Sequence, residues 1–323
     1  MTVKMFDKKL YPDKKVVFAV GTGRCGASFL KQLLSAEKNV ASSDERSPLS
    51  DTFHRYCKWY GIPVDDAGFL HHKAKEIIKD FKTKAISFES SSYLSLSVEE
   101  LYSCFDASFI LMVRDPLSVA ESYYRKGYYA HPYIRNNPSL PPTYQESQHF
   151  HHFLGRIVPS GSEYMSWLEM SRIVKIGWFW NAVNDMVLKQ FSRIPFEKTM
   201  IVRLEDFDYG QYQKIAKWID FKTEVKEREF LRISKKHVNT NKDKDTSEII
   251  WTENDYNDFA RVVKAMSEKL GYSCDVDELK NKKMAVRLSV RTRRHIYRQI
   301  SDYSKALISR IARYLKKRLL PHD

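Results

Sequence analysis

Residues 16–28 read VVFAVGTGRCGAS: an apolar run, Val16–Val20, that stops at a glycine and is followed by two more glycines and a serine. The run has the composition of a strand buried on both faces, which belongs to a parallel sheet covered by helices. The stretch after it matches a phosphate-binding loop, G-x-x-x-x-G-K-[ST], at every position but the lysine, where Ala27 stands. Amide groups of such a loop converge at the N-terminus of the next helix, and the helix dipole adds positive potential there. That helix is predicted in ASFLKQLLSAE, with Phe29, Leu30, Leu33 and Leu34 at helical spacing. An anion is the expected ligand. Without the lysine that reaches β- and γ-phosphates, a nucleoside triphosphate is not.

Further strands are predicted at Ala85–Glu89 (AISFE), Ser108–Val113 (SFILMV) and Met200–Leu204 (MIVRL), the last after a long helical pattern from about Glu163 to Phe191. Strands alternating with helices predict an α/β fold, a P-loop-NTPase-like parallel sheet flanked by helices. The stretch 127–153, with four prolines, many aromatics and no period, reads as a lid or substrate loop. Trp178, Phe179 and Trp180 are consecutive and cannot share one helix face, so at least one of them is expected to leave the core for the donor or acceptor pocket, with core packing the role of the majority.

Arg24 lies inside the loop and offers a planar fork of donors to a phosphate or sulfonate, and Ser28 adds a hydroxyl. Ninety residues on, VRDPLSVAESYY puts Arg114 at a strand end and Ser122 two helical turns later, with Asp115-Pro116 as a helix start. Together, GTGRCGASFL and VRDPLSVAESYY resemble the two donor motifs of sulfotransferases that use 3′-phosphoadenosine 5′-phosphosulfate. The family's 5′-phosphosulfate loop reads like GTGRSGTTFL, and its 3′-phosphate motif reads R-[DN]-P with Ser eight residues after the Arg. Cys25 replaces a common Ser and Ala27 a common Thr, both small. A weaker likeness to carbohydrate-type and bacterial members runs through WFWNAVNDMVLKQF, MIVRLEDF and the segment ending in KLGY, so that it spans residues 14–273.

The resemblance implies that Gly23, Arg24, Cys25, Gly26, Ala27, Ser28 and Phe29 hold the phosphosulfate, that Arg24 stabilises the leaving phosphate, and that Arg114 and Ser122 hold the 3′-phosphate. No metal is expected, since this donor has no γ-phosphate to bridge. Glu89, in ISFESSSYL, resembles the catalytic glutamate of an FEKSxxYF-like segment in heparan-type members, with the following Lys absent, and is the expected base; a structural carboxylate pairing with Arg24 is the alternative. His54, His131, His149, His151 and His152 are further candidate bases, because histidine titrates near neutrality. For Glu205-Asp206, after the fourth strand, the resemblance implies a structural acid that organises the loop, with contact to the active site as the alternative.

The formal charge of +14 is unevenly placed: residues 280–323 carry fourteen Lys or Arg against Asp302 and Asp323, a net of +12, leaving +2 for residues 1–279. Within that segment Ile296, Ile300, Tyr303, Leu307, Ile311, Leu315 and Leu319 form one stripe. A basic amphipathic helix over 296–320 suits an anionic membrane surface, the protein body, a second subunit or a polyanionic glycan. The expected organisation is a sulfotransferase domain, 1–279, and a basic helical tail, 280–323. Four separated cysteines and the lack of an apolar leader predict a reduced, cytoplasmic protein, peripheral at a membrane if the tail binds one. The expected acceptor is the hydroxyl of a carbohydrate or glycolipid. A small-molecule kinase with a degenerate loop and a donor-binding protein without turnover are the alternatives, and no nucleic-acid partner is expected because no RNA or DNA motif is present.

Overall fold

A computed structural model of the chain describes residues 6–130, 157–235 and 249–284. The stretch 131–156, with four of the histidines weighed as bases or loop residues, and the amphipathic stripe of the tail lie outside the described residues. The chain divides into two compact units, Met1–Ser273 and Cys274–Asp323. In the second, the described residues enter a helix at 276.

β1 (Lys15–Val20) is the central strand, and every residue from Val16 to Val20 is buried. Burying each large apolar side chain there contributes about 1.5–3 kcal/mol. β1 lies between β3 (Ile86–Ser90) and β4 (Ser108–Val113), with β2 (Val40–Asp44) outside β3 and β5 (Thr199–Arg203) outside β4. The order is β2-β3-β1-β4-β5, and every neighbouring pair is parallel. Phe18 is in register with both Glu89 and Phe109, and Asp44 with Ser90. All the strands therefore point their C-terminal ends, and the loops that follow them, to one edge. In open parallel sheets ligands bind at that edge.

Each β-strand face has its own helical cover. Val17 and Ala19 of β1 pack with Leu30, Leu33 and Leu34 of α1 (Ala27–Ser35), and with side chains of α8 (Tyr209–Ile219) and α9 (Glu227–Lys235). On the other face Phe18 stacks on Phe109, which meets Phe191 at the end of α7 (Arg172–Phe191). Between these elements run α2 (Pro48–Tyr60), α3 (Asp66–Phe81), α4 (Val98–Phe105), α5 (Pro116–Arg125) and α6 (Glu163–Glu169); α10 (Glu253–Lys269) packs on α7.

The α/β architecture agrees with the sequence reading, with two differences. The pattern 163–191 is two helices: Met170 and Ser171 are both extended, with ψ of 144° and 159°, and Ser171 turns its hydroxyl to Asp255 of α10. β2, read VASSD, was not anticipated from the sequence, because an edge strand needs no apolar run and only Val40 in it is buried.

Candidate active site

The loop after β1 gets its shape from residues with positive φ. Gly23 has φ 83°, Arg24 59° and Gly26 90°. A Cβ on Gly23 would stand 2.3 Å from the Tyr123 hydroxyl and 3.3 Å from Cβ of Ser92, and one on Gly26 would stand 2.5 Å from Leu204 Cδ1. Backbone freedom and close approach are both required here. The Tyr123 hydroxyl donates to the Thr22 carbonyl, fixing the turn from below. Gly23→Ala is therefore expected to cost about 1–3 kcal/mol of stability and to abolish anion binding, read by thermal melting and by titration with a 5′-phosphate nucleotide.

α1 starts at Ala27 with Gly26 at its N-cap and no side chain capping it, an arrangement in which a helix end can take an anion. The Cys25 side chain is buried, and burial pushes its thiol up to about 11, so it is a packing group rather than a nucleophile at neutral pH. Ser28 Oγ donates to Asp44 Oδ2 at 3.1 Å. Phe29 turns its ring toward Phe207 and Phe230, away from the loop, and its amide closes on the Gly26 carbonyl at 2.9 Å.

The second motif meets the first. Asp115 caps α5 by accepting from Ser118 N at 2.9 Å, and Pro116 holds the first helical position, so the helix springs directly from the end of β4 and carries Ser122 toward β1. Arg24 Nε donates to Ser122 Oγ at 2.8 Å, and Arg114 Nη1 donates to the Arg24 carbonyl at 3.2 Å. Glu205 accepts from Asp115 N at 2.9 Å and from the Tyr272 hydroxyl at 2.8 Å, and Trp180 Nε1 donates to the Arg114 carbonyl at 3.1 Å. The Arg114–Asp115 turn is thus held from two sides. Contrary to the expectation that one of Trp178, Phe179 and Trp180 leaves the core, all three are buried: Trp178 donates to Glu163, and Phe179 packs on Tyr123.

Glu89 is 3% exposed. It does not pair with Arg24: both of its oxygens accept from Lys73 Nζ, at 3.0 and 3.1 Å, and Oε1 also accepts from Arg46 N at 3.2 Å. The basic partner that its neighbouring sequence lacks thus comes from α3. Lys73 in turn donates to Asp51 Oδ2 of α2 at 2.9 Å, all three side chains being buried. Burial works to lower the Lys73 ammonium, but Glu89 and Asp51 together hold it above its ordinary range; burial carries the Asp51 carboxyl up to about 6 against the pull of Lys73.

Beside this triad stands a carboxylate that no sequence pattern marks. Glu45 follows β2 directly, has φ 43°, and donates its amide to the Ser90 carbonyl at 2.9 Å. A left-handed backbone at a non-glycine residue costs of order 1–3 kcal/mol and persists only where its surroundings dictate it. The half-buried Glu45 carboxyl is pushed up to about 7, first by burial and then by the charge of Asp44, against a hydrogen bond from Ser92 Oγ at 3.5 Å. Ser92 is also the side chain that packs on Gly23, so Glu45 is one residue removed from the anion loop. Its signal in the sequence is only an acid one residue past a strand end, and that strand is itself cryptic.

His54 faces elsewhere. It is buried, stacks on Phe69 at 3.9 Å and sits 3.2 Å from Glu100 and 3.5 Å from Asp66. Among the described residues this trio is the one group of metal-ligand type, and Lys58 Nζ, 3.3 Å from Glu100, already supplies a cation there.

A family model described as "Sulfotransferase domain" matches residues 14–260 of the chain. No curated protein matches it. Among solved structures it is similar to the sulfotransferase domain from the curacin biosynthetic pathway, with 13% identity over 68% of this chain and 77% of that one and a TM-score of 0.43. It is also similar to the sulfotransferase domain from the Synechococcus PCC 7002 olefin synthase (11% identity, 80% and 97% covered, TM-score 0.41) and to sulfotransferase STF9 from Mycobacterium avium (12% identity, 82% and 79% covered, TM-score 0.46).

Proposed function

The chain belongs to the sulfotransferase domain family, and from that premise we propose how its residues divide the work of sulfuryl transfer. It is an enzyme whose sulfuryl donor is 3′-phosphoadenosine 5′-phosphosulfate. The observation that carries the assignment of its donor site is the meeting of Arg24, Ser122 and Arg114, which lie up to 98 residues apart in the chain. In this reading the Gly23–Phe29 loop holds the phosphosulfate. Cys25 packs under the loop and the Phe29 amide closes its turn on the Gly26 carbonyl, while the other amides and Arg24 neutralise the charge that grows on the phosphate oxygen as the S–O bond breaks. Arg114 and Ser122 hold the 3′-phosphate.

The acceptor is a hydroxyl, of a saccharide or a glycolipid headgroup. Its oxygen attacks sulfur, its proton passes to Glu45, and 3′-phosphoadenosine 5′-phosphate departs. What favours Glu45 over Glu89 as the base is chemical availability. A carboxyl near 7 is matched to neutral operation, whereas the Glu89 oxygens are engaged by Lys73 and Arg46. Support for a sugar-type acceptor is the likeness of WFWNAVNDMVLKQF, MIVRLEDF and the segment ending in KLGY to carbohydrate-type and bacterial members, and it is tested by following radiolabelled sulfate from donor into glycan and lipid fractions. Among the described residues no helix is long and apolar enough to cross a membrane.

Calorimetric titration with 3′-phosphoadenosine 5′-phosphate, run beside ATP with magnesium, tests the donor site. Tight binding of the first with no response to the second is expected, and binding of ATP alone would turn the reading to a kinase. Arg114→Ala should weaken binding of the bisphosphate about 10- to 100-fold, because a dianion loses a charge-assisted partner. Unchanged affinity would move the 3′-phosphate elsewhere.

A further inference from the structure

Arg55, on the inner side of α2, is 1% exposed, and among the described residues no carboxylate pairs with it. Its Nη1 donates to the Ser92 carbonyl at 3.2 Å, while Nε and Nη2 are buried without a hydrogen-bond partner. The guanidinium lies over the Phe179 ring, 5.4 Å from its centroid. A cation–π contact returns only a small part of what a guanidinium loses on leaving water. The other cations of this region are matched: the buried Lys73 by Asp51 and Glu89, and the partly buried Arg46 by Asp80 at 2.7 Å.

The location of the unmatched charge gives it a use. Ser92, whose carbonyl Arg55 holds, packs against Gly23 of the anion loop and donates its hydroxyl toward Glu45. Phe179, under the guanidinium, packs on Tyr123, whose hydroxyl holds the Thr22 carbonyl. Arg55 is thus set directly behind the Thr22–Gly23 turn, where low-dielectric surroundings let a charge act across several ångströms.

We propose that Arg55 is a counter-charge held for the donor: a positioning residue whose potential, projected through the Thr22–Gly23 turn, is offset when the donor's phosphosulfate oxyanion occupies the loop. The proposal rests on the reading of that loop as the phosphosulfate site. It explains why a buried guanidinium is retained without a carboxylate, since a permanent partner would cancel the field that the anion is to meet.

Arg55→Met and Arg55→Lys, in the full chain, are compared with the parent by thermal melting without ligand and by titration with 3′-phosphoadenosine 5′-phosphate. Arg55→Met removes an unmatched buried charge while nearly keeping volume, so the ligand-free variant is expected to melt at a higher temperature than the parent. It is also expected to bind the bisphosphate about tenfold or more weakly. Arg55→Lys should recover most of the affinity. Parental affinity in the Met variant would overturn the proposal. So would lower melting with equally weakened binding in both variants, since that pattern marks a clamp on Ser92 rather than a charge. A parent that fails to bind the bisphosphate would instead remove the reading of the loop on which the proposal stands.

Discussion

Glu45→Gln is expected to lower turnover by about 10²- to 10⁴-fold while leaving affinity for 3′-phosphoadenosine 5′-phosphate unchanged, because the role proposed for the side chain is to take the acceptor's proton and not to meet the donor's charge. The pH dependence carries the same information. With its carboxyl near 7, Glu45 accepts a proton only when ionised, so kcat/KM of the parent should rise with pH and level off above about 7, and the Gln variant should lose that limb. Stability runs the other way. A carboxyl whose folded pKa exceeds its unfolded value costs the fold stability once pH passes both, so above neutrality the variant should melt no lower than the parent. An active Gln variant with the limb intact would put the base elsewhere, with Glu89 the first residue to replace. Glu89→Gln is expected to act mainly on stability, since it strips Lys73 of one of its two closest partners.

The second large effect is on folding. Lys73→Met should destabilise the protein by about 3–5 kcal/mol, because it leaves the buried Asp51 and Glu89 carboxylates facing each other across the lost ammonium, with Arg46 Nε, 3.9 Å from Glu89, as a distant cation only. The triad ties α2, α3 and β3 together, so the loss should appear as one cooperative shift in melting. Its pH dependence has a definite sign. Without the ammonium, the carboxyl that burial already carries to about 6 rises further, the folded state binds more protons than the unfolded one, and stability is regained as pH falls. The deficit measured at pH 8 should therefore exceed that at pH 5.5. A deficit independent of pH would mean that the cost is packing alone.

The half of the site proposed for the donor is legible in the sequence because its elements are local. A buried strand, a glycine loop and a helix must be contiguous for amides to converge on an anion, and Arg114 and Ser122 are spaced by the helix that Asp115-Pro116 starts. The half proposed for the acceptor is not local. Glu89 stands out as an acid at a strand end, but its partner Lys73 comes from a helix sixteen residues earlier, and nothing in the text of α3 sets that lysine apart from its neighbours. Glu45 is hidden twice: by a strand in which only Val40 is buried, and by a raised pKa that arises only after burial. Arg55 is hidden for the same reason, since being unmatched is a property of packing and not of sequence.

The order of the strands has an evolutionary consequence. The residues assigned to the donor hang from β1 and β4 at the centre of the sheet, whereas Glu45 hangs from β2 at its rim, where four of the five strand residues are incompletely buried. Substitution is costly at the centre and cheap at the rim. A lineage built on this frame is free to explore new acceptors by drift at the outer strand and the turn after it, with its use of the donor left intact.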